Sequence, residues 1–106
     1  MRYVALDRLI NLFDGYREVF RVGTLQVLLV QEQGRRYAVQ AACPHRDWPL
    51  QHGVIQGGEI VCSKHGWSFD LASGRPTHPL ADCRLPVYPI AYQDNTIGIL
   101  LNPECM

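Results

Sequence analysis

Cys43-Pro44-His45-Arg46-Asp47-Trp48-Pro49-Leu50 and Cys62-Ser63-Lys64-His65-Gly66-Trp67-Ser68-Phe69-Asp70 decide how this chain is read. Each stretch opens on a cysteine with a histidine close behind it, and only residues 46–61 separate the two pairs. Together they offer two thiolates and two imidazoles. Such a donor set suits two metals at one site, with a soft iron taking both sulfurs and a second iron taking both nitrogens. Structural zinc usually takes Cys-x2–4-Cys and His-x3–5-His pairs, and mixed pairs with a single residue between Cys43 and His45 are a poor match. A disulfide framework would leave His45 and His65 unexplained, and four cysteines in 106 residues is not disulfide density. An all-cysteine plant-type cluster needs Cys-x4-Cys-x2-Cys, which is absent from the sequence.

The rest of the chain limits what can surround that centre. A length of 106 residues fits a single domain, 1–106, able to build a core without disulfides. Ten basic and ten acidic residues balance, so no field of one sign points to nucleic acid or an anionic membrane. No apolar run approaches the roughly 20 residues of a membrane span. The start, Met1-Arg2-Tyr3-Val4-Ala5-Leu6-Asp7, lacks a signal-peptide pattern. The expectation is a cytoplasmic protein with no membrane association.

Short β-branched and aromatic runs dominate and helical periodicity is nearly missing, which predicts an all-β fold. Expected strands are Arg2–Leu6, then a hairpin of Arg17–Val22 and Leu25–Glu32 through Gly23-Thr24. A turn at Gln33-Gly34 leads into Arg35–Ala41, and a short helical turn is expected over Leu9–Leu12. Glu59–Cys62 and Trp67–Asp70 follow as short strands within the ligand-bearing region. A hairpin of Val87–Tyr92 and Thr96–Leu101 over Asp94-Asn95 closes the chain. The tail 102–106 is expected to fray.

The stretch from Ala42 to Pro79 resembles a Rieske cluster-binding region, and more specifically that of the Rieske-type ferredoxins of bacterial ring-hydroxylating dioxygenase systems. The resemblance implies the Rieske fold of stacked antiparallel sheets. A loop-rich cluster-binding subdomain (about 42–79) would be inserted between basal strands (about 1–41 and 80–102). It implies one Rieske 2Fe–2S cluster, with Cys43 and Cys62 on the inner iron and His45 and His65 on the outer. Neutral imidazoles in place of two anionic thiolates make the cluster less negative. Rieske potentials accordingly lie at roughly −150 to +300 mV, against about −400 mV for plant-type ferredoxins.

By the same resemblance the chain is an electron carrier and not an enzyme, with no catalytic residues of its own. Its partners would be a flavin-dependent ferredoxin reductase and the terminal oxygenase of an aromatic-ring dioxygenase system. The alternative is an accessory subunit of a larger redox enzyme, like the small subunit of nitrite reductase. Many such subunits lack the four ligands, so the intact set weighs against it.

Respiratory Rieske proteins brace their two ligand loops with a disulfide and hydrogen-bond the cluster from a Ser and a Tyr. This chain has no second cysteine in either loop, and Trp67 and Phe69 stand where those hydroxyls would be. The expected potential therefore lies toward the low end of the Rieske range. Pro76 and Pro79 resemble the third loop that covers such clusters. Gly66, directly after a ligand, has a backbone role, whereas Gly53 and Gly74 read equally well as plain turn glycines. Asp70 is expected to cap its own loop. Cys83 and Cys105 read as spare thiols, His52 and His78 as ordinary polar loop residues. Part of Trp48-Pro49-Leu50 is expected to be exposed for docking.

Overall fold

The computed structural model describes residues 1–44, 48–63, 66–79, 81 and 83–102. Its strands are β1 (Arg2–Arg8), β2 (Arg17–Val22), β3 (Leu25–Glu32), β4 (Arg35–Gln40), β5 (Val54–Gln56), β6 (Glu59–Val61), β7 (Ser68–Asp70), β8 (Ile90–Gln93) and β9 (Thr96–Leu101). They form antiparallel sheets ordered β1-β9-β8, β2-β3-β4 and β5-β6-β7. Single 3₁₀ turns cover Leu9–Asn11 and Leu50–His52. No helix among the described residues is long and apolar enough to cross a membrane.

Turn chemistry sets the register. Both central residues are at positive φ in Gln33-Gly34, Gly57-Gly58 and Asp94-Asn95. Two such residues make a type I′ turn, whose twist matches that of the strands it joins. Each of the three closes a hairpin: β3–β4, β5–β6 and β8–β9. The β2–β3 hairpin runs from Arg17↔Val30 to Val22↔Leu25, over the expected residues.

β3 contributes side chains to both buried cores. Val27, Leu28, Leu29 and Val30 are all fully buried. Because side chains alternate along a strand, Val27 and Leu29 enter one core and Leu28 and Val30 the other. The first core also contains Ile97, Ile99 and Leu101 of β9, so the sheet made by the two chain ends packs here. The second contains Ile60 of β6, Phe69 of β7, Leu71 and Leu85. Each such side chain contributes about 1.5–3 kcal/mol through burial.

One expected boundary needs correction, and one strand is new. The strand expected over Val87–Tyr92 begins only at Ile90. Pro86 and Pro89 have no N–H to give a ladder, and Val87 makes an isolated bridge to Val39. β5 was not expected at all.

Candidate metal centre

The two ligand stretches are closed alike at their described ends. In the first, Ala42 bridges Pro49, and the Cys43 N–H donates to the Trp48 carbonyl at 2.7 Å. In the second, Val61 pairs with Ser68, and the Cys62 N–H donates to the Trp67 carbonyl at 2.7 Å. Each cysteine thus lies one residue beyond a bridged pair, at the mouth of a loop that a tryptophan carbonyl closes. In the second loop Gly66, at φ +73°, donates its N–H to the Cys62 carbonyl at 3.0 Å. That left-handed conformation disfavours any residue with a Cβ, so Gly66 has its backbone role.

Packing fixes where the loops sit. Leu50, fully buried, donates its N–H to the Ala41 carbonyl at 2.8 Å and opens the 3₁₀ turn. The Arg17 guanidinium on β2 donates to the carbonyls of Gln51 and Gly53 and holds that turn to the middle sheet. A Cβ on Gly53 would overlap the Val61 carbonyl oxygen, and one on Gly74 the Leu85 carbonyl oxygen. Both glycines are therefore close-approach positions, more than plain turns. Asp70 Oδ2 accepts from the Ser73 N–H at 3.0 Å and the Ser73 hydroxyl at 2.7 Å, the expected loop cap.

Cys43 and Cys62 are each only 1 % exposed and belong to one buried cluster of side chains. Cys43, Cys62 and Cys83 are all outside disulfides. Two reduced, buried thiols from the two loops, brought into one core, fit the thiolate half of a two-iron donor set. His45 and His65 lie outside the described residues, as do Arg46, Asp47, Lys64 and Cys105. Cys83 is half-buried.

The tryptophans that close the loops also reach out of them. Trp48 Nε1 donates to the Ser63 hydroxyl at 2.9 Å, from the first loop to the second. Trp67 stacks on His78 with ring centroids 6.1 Å apart and planes 17° from parallel, from the second loop to the proline-bearing third. The Thr77 N–H on that third loop donates to the Ser68 carbonyl at 2.8 Å, and Phe69 bridges Pro76. Ser63 was missed as a partner, and His78 is more than the ordinary loop residue expected. The equal placement of Trp48 and Trp67 after their cysteines was the available signal. Trp48 and Pro49 are exposed while Leu50 is core, so the expected docking triplet splits.

The Rieske [2Fe-2S] domain family matches residues 3–89. The chain belongs to that family. Its cofactor is accordingly a Rieske-type 2Fe–2S cluster. Among curated relatives it is 32 % identical to the ferredoxin component of the alkene monooxygenase system of Xanthobacter autotrophicus, over 97 % of this chain and 84 % of that protein. The ferredoxin of carbazole 1,9a-dioxygenase from Nocardioides aromaticivorans is 26 % identical, with a TM-score of 0.83 over 93 % of this Rieske chain and 97 % of that one. The fold also matches, at TM-score 0.78 and 21 % identity over 89 % of this chain, a chain covered to 97 % in a complex of oxygenase and ferredoxin from carbazole 1,9a-dioxygenase.

Proposed function

We propose that this Rieske protein is a one-electron carrier that takes electrons from a flavin-dependent ferredoxin reductase and hands them to a terminal aromatic-ring dioxygenase. Near end-to-end similarity to ferredoxins of oxygenase systems carries the carrier reading, and the carbazole 1,9a-dioxygenase ferredoxin among them favours the dioxygenase. An alkene monooxygenase is the second class of acceptor, favoured by the Xanthobacter relative. The carrier works in the cytoplasm.

Cys43 and Cys62 hold the inner iron and His45 and His65 the outer, within a cluster-binding region of about 42–79 carried on basal strands from 1–41 and 80–102. A bound cluster supplies a centre that accepts and releases one electron at a time. The buried thiolates keep water from the inner side. Trp67 and Phe69 offer no hydroxyl toward the centre, which favours a low Rieske potential.

Iron analysis and EPR test this assignment. Two irons per chain and a rhombic, low-average-g signal on reduction are expected. Cys43→Ser and Cys62→Ser should lose both, whereas Cys83→Ala and Cys105→Ala should keep them. Full iron in Cys43→Ser would overturn the ligand set. Reconstitution with a flavin reductase and either oxygenase class decides the acceptor.

A further inference from the structure

We infer that Trp48 and Trp67 form a noncovalent brace that ties the three loops of the centre in series and slows loss of the cluster. The inference rests on the ligand assignment above and adds residues that no ligand role requires. The two tryptophans occupy equivalent positions, each closing its own loop by accepting the cysteine N–H. Each then extends its ring to the next loop, Trp48 to Ser63 by a hydrogen bond and Trp67 to His78 by stacking.

Such a brace matters because neither ligand loop holds a second cysteine for a disulfide. Ser63 follows Cys62 directly, so a tie at Ser63 holds the chain beside a thiolate ligand. A chelator strips iron only when the loops part. If they reclose faster than they are attacked, the rate of loss follows the open population. The brace lowers that population, and Trp48 and His78 act as positioning residues.

The experiment is bleaching of the oxidised holoprotein by a chelator, followed at the cluster's visible absorbance, on Trp48→Phe, Ser63→Ala and their double variant. Phenylalanine keeps an aromatic ring but loses the pyrrole ring together with its N–H, so Ser63→Ala, which removes only the hydroxyl, is the cleaner break of the bond. Each single variant should begin with full iron and an unchanged EPR signal, then bleach about two- to tenfold faster, the range one hydrogen bond supports. The double variant should bleach no faster than Trp48→Phe alone, because the bond that Ser63→Ala removes is already gone there. Ser63→Thr, which retains the hydroxyl, should restore the original rate. At the other tie, His78→Ala should bleach faster and His78→Phe, which can still stack, should not.

Multiplied effects in the double variant, or wild-type rates in both single variants, would overturn the brace and leave the ligand assignment standing. Loss of iron from Cys83→Ala would instead undermine the assignment itself. A single variant that misfolds is replaced by Ser63→Gly, which removes the hydroxyl without adding bulk and carries the same expectation.

Discussion

Tyr16 donates its hydroxyl to Asp7 Oδ2 at 2.6 Å, and Asn11 donates to the other oxygen of the same carboxylate at 2.8 Å. The Tyr16 hydrogen bond, with that from Asn11, holds Asp7 below the usual carboxylate range. Burial, then the hydrogen bond to Asp7, pushes the Tyr16 phenol well above its ordinary value. A lowered carboxylate contributes stability above its unfolded pKa of about 4, and this is lost as pH falls through the folded value. A raised phenol contributes below its unfolded pKa of about 10, and this is lost as pH rises beyond it. Tyr16→Phe should therefore cost about 1 kcal/mol between pH 5 and 9, at the modest end for a charged acceptor because Asp7 is solvated. Melting curves against pH check it: the gap to wild type should shrink below about pH 4. A gap that stays constant down to pH 2 would mean the phenol packs without sensing the carboxylate.

The 3₁₀ turn Leu50–His52 depends on another element for its placement, since one β2 arginine serves the carbonyls of Gln51 and Gly53. Arg17→Met keeps the aliphatic stem and removes both bonds, so it should cost about 1–2 kcal/mol. Arg17→Lys should recover only part, because both bonds come from Nη1 and a lysine ammonium ends one bond short of that atom. Thermal melts of the two variants measure this, and a lysine fully equal to arginine would mean that the two carbonyls do not depend on the reach of the guanidinium. Elements with their own turn signal were legible in the sequence. The β2–β3 hairpin falls on its expected residues because Gly23 and the alternation around it agree. β5 escaped because three residues are too few for alternation to register, although Gly57-Gly58 is a hairpin dipeptide. β8 was started too early because an apolar run hid what Pro89 does to a ladder. At the centre, local spacing singled out Cys43 and Cys62, and the fold does bring these two thiols into one buried core. The Trp48–Ser63 and Trp67–His78 contacts join separate loops, and local sequence carries no period for such a meeting.

At the scale of the molecule, one strand divides two cores with different duties. Leu28 and Leu29 are neighbours on β3, identical in side chain and both fully buried. Leu28 belongs to the core that contains Cys43 and Cys62, Leu29 to the core shared with Ile97 and Ile99. Truncation of either to alanine removes the same atoms and should cost about 2–5 kcal/mol. For a chain of this length that lowers the melting temperature by about 10 °C or more. The consequences for the centre should differ. A cavity in the Leu28 core loosens the packing behind the thiol-bearing loops, so Leu28→Ala should release iron to a chelator at temperatures well below its melt. Leu29→Ala leaves that packing intact, so its iron loss should wait for global unfolding. Bleaching rate and melting curve, measured on the same samples, separate the two variants. Equal bleaching at equal loss of stability would mean that the two cores open together, and that retention of the centre follows global stability rather than the face of β3 behind it.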